Sequence, residues 1–134
     1  MNPDTPKSTI LVVEDEVSLR GALCDKFTRE GFTVFGAKDG EAGLELAVRE
    51  QPHIILLDMM MPKMDGITML LQLRAQGEWG KRVPVLLLTN VSSDDKRIPK
   101  DMMDTGSVSY LVKSDWPISK LVEKVRETIA ASPG

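Results

Sequence analysis

The sequence has no excess of basic residues: seventeen lysines and arginines stand against twenty acids, a formal charge of -3. Such a balance gives no field to hold a nucleic-acid backbone non-specifically, so direct nucleic-acid binding is not expected. Long apolar runs are missing too. The longest are of the kind seen from Val85 to Leu88, where roughly 20 apolar residues are needed to cross a bilayer, so no membrane span is expected. The single cysteine, Cys24, excludes an intramolecular disulfide and reads as a buried, inert thiol. The opening Met-Asn-Pro-Asp-Thr-Pro-Lys stretch has no apolar signal core and carries prolines near an end. It predicts a frayed lead-in over residues 1–8 and a chain that stays in the cytoplasm.

What remains is an ordinary globular balance, 42% hydrophobic and 28% charged in 134 residues, enough for one core and too little for two. One domain over residues 9–132 is expected. Thr9 to Val13 is a β-branched apolar run that ends in Glu14, Asp15 and Glu16, which reads as a buried strand ending in acid. From Glu16 the spacing turns helical through Leu19, Leu23 and Phe27, with Gly31 as its stop. A second strand is predicted over Phe32–Gly36, and Asp39-Gly40 turns the chain into a helix bearing Ala42, Leu46 and Ala47.

His53 through Leu57 to Asp58 is the clearest buried strand, and it terminates at a carboxylate. Asp65 is placed to cap a helix through Met69, Leu70 and Leu73, which Gly77 and Gly80 interrupt before a fourth strand over Val83–Leu88. Val108 to Val112 gives a fifth strand. Asp115 is expected to cap a last helix with Pro117 in its first turn and an apolar face of Ile118, Leu121, Val122, Val125 and Ile129. In the segment Val91–Thr105, Pro99 and the Ser92-Ser93-Asp94-Asp95 run allow only a short helix from about Ile98 to Asp104. Strands alternating with helices, each strand too apolar to be half exposed, imply right-handed crossovers around a parallel sheet: an α/β fold of three layers. The cluster Met59, Met60, Met61 and Met64 reads as adaptable packing.

In a parallel sheet the residues just after the strands meet along one edge, where ligands of open α/β sheets bind. Here that edge collects Glu14, Asp15, Asp58, Thr89 and Lys113. Taken singly, each has a bland explanation as a cap, a loop start or a solvated charge. Together they do not, because two like charges about 4 Å apart repel by about 4 kcal/mol at an effective dielectric near 20. The cluster calls for a cation. A donor set of carboxylate oxygens without His or Cys suits magnesium, or manganese, over zinc. Asp58 would then serve as ligand and as nucleophile towards a phosphoryl group, with Lys113 neutralising the transferring oxygens and Thr89 donating one hydrogen bond.

From Thr9 to Ile129 the chain resembles the receiver domains of two-component signalling. The pieces that carry the resemblance are Ile10 to Asp15, Ile54 to Asp58, Met61-Pro62, Met64-Asp65-Gly66, Leu88-Thr89, and Gly106 with Tyr110 to Lys113. The resemblance implies a flavodoxin-like, doubly wound five-stranded sheet in the order 2-1-3-4-5. It implies an acidic metal pair in Glu14 and Asp15, the phosphoacceptor in Asp58, a backbone metal ligand in the Met59 carbonyl, and the phosphoryl-contacting lysine in Lys113. Thr89 and Tyr110 match the paired switch residues. A histidine kinase or phosphotransfer protein would be the donor and an unidentified protein the output, with the domain a monomer or weak dimer that catalyses only its own phosphorylation and dephosphorylation. No effector follows Lys113 beyond the last helix, so either the chain acts alone through contacts or an effector has been removed.

The chain departs from the family pattern at Ser114, at Asn90 and in the Thr89–Gly106 segment, which is slightly long. Ser114 replaces the proline usual after the lysine, so a trans Lys113–Ser114 bond is expected. Asn90 stands where a very small residue is usual, which predicts a long-lived acyl phosphate. His53, at a position often acidic, reads as structural. A phosphorylation-independent binding module of the same fold is the main rival. An aspartyl phosphohydrolase is the other, and Met59 and Met60 stand where it would need a second acid.

Overall fold

The computed structural model describes residues 8–61, 64–89 and 108–131. In chain order they form β1 (Thr9–Val13), α1 (Val17–Arg29), β2 (Thr33–Ala37), α2 (Gly40–Glu50), β3 (Ile54–Asp58), α3 (Gly66–Arg74), α4 (Gly77–Arg82), β4 (Val85–Thr89), β5 (Val108–Val112) and α5 (Ile118–Ala131). The five strands form one parallel sheet in the order β2-β1-β3-β4-β5. This is the α/β architecture expected from the alternation of elements and the order implied by the resemblance. No helix among the described residues is long and apolar enough to cross a membrane.

Strand parity builds the layers. Successive side chains of a strand point to opposite faces, so a strand apolar at every position must be covered on both. Leu11, Val13, Ile55, Leu57, Val85 and Leu87 meet Ala47 of α2 and Met69, Leu70 and Leu73 of α3 on one face. Ile10, Val12, Ile54, Leu56, Leu86 and Leu88 meet Leu23 and Phe27 of α1 and Leu121, Val122 and Val125 of α5 on the other. Every residue predicted for the apolar face of the last helix packs into this second core.

Helix ends follow the predicted chemistry at several points. Gly31, at a φ of 97°, follows the C-terminal end of α1. Asp39 and Asp65 cap α2 and α3 by accepting hydrogen bonds from the Ala42 and Thr68 N–H groups at 2.8 Å each. Elsewhere the boundaries differ from expectation. The second strand starts at Thr33 because the Phe32 N–H closes α1 on the Phe27 carbonyl. The third begins at Ile54, one residue past His53, whose ring instead accepts the Thr9 N–H through Nδ1.

Gly77 and Gly80 do not merely interrupt: they belong to α4, which closes with the Val83 N–H donating to the Trp79 carbonyl, so the fourth strand starts after Pro84 and takes in Thr89. Asp115 does not cap the last helix. It lies in a 3-10 turn, Lys113–Asp115, and the Pro117 carbonyl receives the first N–H groups of α5. The Lys113–Ser114 bond is trans. Asn90 and the short helix predicted from about Ile98 to Asp104 lie outside the described residues.

Two glycines in helices face opposite environments. A Cβ on Gly43 of α2 would stand 2.8 Å and 2.9 Å from the Val13 methyls, whereas one on Gly21 of α1 meets nothing within 4 Å. Gly43→Val is expected to destabilise the fold by about 1–3 kcal/mol through overpacking. Gly21→Ala is expected to stabilise it by about 0.5–1 kcal/mol through helix propensity. Urea unfolding of the two variants beside the parent checks both, and equal effects would show that α2 does not seat on β1 through Gly43.

Candidate functional site

The chain runs from β1 outward to β2, then returns across β1 to β3. Connections leave the sheet in opposite directions on either side of β1 and β3, so their carboxyl ends border an open crevice. β1 delivers Glu14 and Asp15 to that crevice and β3 delivers Asp58, whose strand partner in β4 is Leu88, one residue before Thr89. Lys113 follows β5 directly.

One carboxylate oxygen from each of Glu14, Asp15 and Asp58 lies within 4.8 Å of the others. Glu14 and Asp58 are buried, at 2% and 4% exposure, and Asp15 is exposed. Lys113 reaches into the group, with Nζ at 3.0 Å from Glu14 Oε1 and 3.3 Å from Asp58 Oδ1. Two backbone groups also donate to these oxygens, the Glu16 N–H to Glu14 Oε2 at 3.1 Å and the Met60 N–H to Asp58 Oδ1 at 3.3 Å.

One amine does not neutralise three acids. Burial first, then the neighbouring Glu14 carboxyl, push Asp58 up to about 7 against the opposing pull of Lys113 and the Met60 N–H. Burial draws the Lys113 amine down, but Glu14 and Asp58 outweigh it and leave it above the ordinary lysine value. The cluster is therefore short of positive charge. Its donors are all hard oxygens with no sulfur or imidazole among them, which fits magnesium or a cation like it.

The neighbouring residues are placed as follows. The Met59 side chain is buried, and its carbonyl accepts the Gly66 N–H at 3.0 Å, leaving one lone pair for another partner. A Cβ on Gly66 would come within 2.5 Å of the Asp58 carbonyl oxygen, so the start of α3 packs directly on the end of β3. Thr89 is fully buried. Tyr110, on β5 beside β4, packs against the core on the α2 and α3 side. Met61 and Met64 pack against that core as predicted for the methionine cluster, but Met60, beside Asp58, is exposed.

One contributor has no signal in residue type or spacing. Arg20, near the start of α1, donates from Nη1 to the Glu14 carbonyl at 2.9 Å. It was invisible in the sequence because an arginine at a helix surface reads as a solvated charge.

The response regulator receiver domain model matches residues 10–126. The chain is 35% identical over 123 residues to the probable transcriptional regulator ycf27 of Porphyridium aerugineum, covering 92% of this chain and 48% of that protein. It is 33% identical over 117 residues to the response regulator MprA of Mycobacterium leprae, covering 87% and 49%. It thus spans about half the length of these curated relatives. Among solved structures it is similar to the chemotaxis protein CheY4 of Vibrio cholerae, with a TM-score of 0.80 at 26% identity over 92% of this chain and 99% of that one. The Francisella response regulator 1452 receiver domain gives 0.79 at 29% over 92% and 98%. With the family model spanning β1 to α5 and the crevice lined by acids at its switch point, this chain belongs to the response regulator receiver domain family of two-component systems.

Proposed function

We propose that residues 9–132 work as a phosphoacceptor unit in which Asp58 takes the phosphoryl group. The observation that carries this reading is the meeting of Glu14, Asp15, Asp58 and Lys113 at one crevice, with Asp58 buried yet reachable beside the exposed Met60. Glu14, Asp15, Asp58 and the free lone pair of the Met59 carbonyl would hold magnesium. When bound, magnesium supplies the positive charge that lets the three carboxylates ionise together and that offsets charge on the phosphoryl oxygens.

The donor is a phosphohistidine of a histidine kinase or phosphotransfer protein. An oxygen of the ionised Asp58 forms a bond to phosphorus as the phosphorus–nitrogen bond breaks, and the imidazole leaves with its electron pair. Lys113, released from the acids, follows the negative charge onto the phosphoryl oxygens, and the Thr89 hydroxyl donates to one of them. Tyr110 then repacks behind Thr89, which changes the surface offered to an output protein. The domain acts in the cytoplasm and catalyses no reaction other than its own phosphorylation and dephosphorylation. Output passes either to an attached domain or to a separate protein; the chain spans about half the length of its curated relatives.

Incubation with a small acyl-phosphate or phosphoramidate donor and magnesium is expected to add one phosphoryl mass on the intact chain. Asp58→Ala and a chelator should each abolish it. Label retained on the variant would place the acceptor elsewhere, and no label on the parent would leave a phosphorylation-independent binding module.

Stability without divalent cations should report the raised Asp58 carboxyl. The unfolded chain loses that proton near pH 4 and the folded one near 7, so between those values the folded state binds more protons and stability falls as pH rises. Asp58→Asn removes this cost. Its stabilising effect in chelator should grow from pH 4 to 7 and level off above, with about 4 kcal/mol as a ceiling and part lost because Lys113 gives up a partner. Urea melts across pH check it; a pH-independent difference would show that Asp58 is not held up by its neighbours.

Lys113→Ala should bind magnesium as well as the parent or tighter, by roughly tenfold or less, since the amine competes for the same oxygens and such a pair is worth about 1 kcal/mol. Its phosphorylation should no longer alter Thr89-linked surfaces. Titration calorimetry checks the first statement, and weaker binding would contradict it.

A further inference from the structure

Every polar atom of Glu14 is engaged. Its N–H donates to the Ala37 carbonyl at 3.0 Å, its carboxylate takes Lys113 and the Glu16 N–H, and its carbonyl takes Arg20 Nη1 at 2.9 Å. These bonds differ in what a cation would do to them. Those to the carboxylate use oxygens that a metal needs. Those to the N–H and the carbonyl do not, and persist when the carboxylate is occupied. The Glu14 carbonyl belongs to the peptide that joins Glu14 to Asp15, so whatever fixes that peptide plane sets where the exposed Asp15 carboxylate stands.

Arg20 is also oddly placed for a surface arginine. Its own N–H makes an early bond of α1, to Glu16 at 2.9 Å. A cation near a helix N-terminus opposes the helix dipole, and α1 has neither a side-chain cap nor an acid in its first turn to offset it. The acids that could offset it lie ahead of the helix, in the N-cap Glu16 and the Glu14–Asp15 pair, so Arg20 stands where it faces the crevice. The route of the side chain is prepared as well: a Cβ on Gly36 of β2 would stand 3.8 Å from Arg20 Cγ and Cδ and 3.2 Å from Cys24 Sγ. At 3.8 Å that contact is ordinary packing, so the stem of Arg20 lies along Gly36, and branched atoms beyond a Cβ there would press on it and on Cys24.

Resting on the cation-binding reading above, we infer that Arg20 is a positioning residue which presets Glu14 and Asp15 for the metal ion by holding the peptide between them. Charge and position predict opposite signs for its removal. Deleting a positive charge near three acids should tighten magnesium binding, while freeing the Glu14–Asp15 peptide should weaken it.

The test is calorimetric titration of magnesium into the whole chain, the parent beside Arg20→Met, which keeps the apolar stem, and Gly36→Val, which crowds it. Both variants are expected to weaken magnesium binding about tenfold, as outer contacts of metal ligands commonly do. The rate of labelling of Asp58 by a small phosphodonor should fall at low magnesium and return to the parent's value at saturating magnesium. A purely structural defect would lower the rate at every concentration. Unchanged or tighter binding in Arg20→Met, or a rate that saturating magnesium does not restore, overturns the inference while the parent's binding leaves the cation reading in place. A parent that binds no magnesium overturns both.

Discussion

Oxygens from three carboxylates lie within 4.8 Å of one another at the end of the central strands, and what surrounds them is arranged to offset their repulsion. Lys113 crosses from the end of β5 to reach two of them. The Met60 and Glu16 N–H groups take further oxygens. Burial and what is left of that repulsion push the Asp58 carboxyl up to about 7. On the proposed reading the repulsion would be useful, since a small hard cation that relieved it would also leave Asp58 ionised.

Such a cluster needs a frame that cannot relax away from it. The frame is the sheet, whose central strands are buried on both faces and paired in register on both edges. Close backbone approaches lock its rim, with α2 seated on Val13 at Gly43 and α3 on the Asp58 carbonyl at Gly66. Because protein interiors are packed to crystal-like density, these contacts leave the carboxylates little room to spread.

Much of this was legible in the sequence. Unbroken apolar runs ending in acid named β1 and β3 and their terminal carboxylates, since a residue following a parallel strand has only one edge to occupy. The Lys113 and Thr89 positions followed in the same way. What was hidden depends on backbone geometry. The short helix Gly77–Arg82 contains glycines that propensity counts as breakers, yet Gly77 adopts a φ of 72° that few other residues would. Asp115 looked like a cap because its type favours one, but the turn that begins at Lys113 uses it up before Pro117. Arg20 was hidden because its target is a carbonyl, which every residue has.

The helix Gly77–Arg82 lies on the connection that feeds the amino end of β4, at the edge of the sheet remote from the acids. Extra length is absorbed there without disturbing the strand that follows, since Arg74 clasps the Gly80 and Val83 carbonyls at 2.9 Å and 2.8 Å and delivers the chain to Pro84 in register. The passage from β1 into α1, at the opposite edge, has no such slack. One residue added or removed between Val13 and Arg20 would swing the acid pair by half a pleat or a hundred degrees of helix. Insertions and deletions during descent should thus be tolerated at the amino end of β4, while the passage from Val13 to Arg20 keeps its spacing even where its side chains diverge.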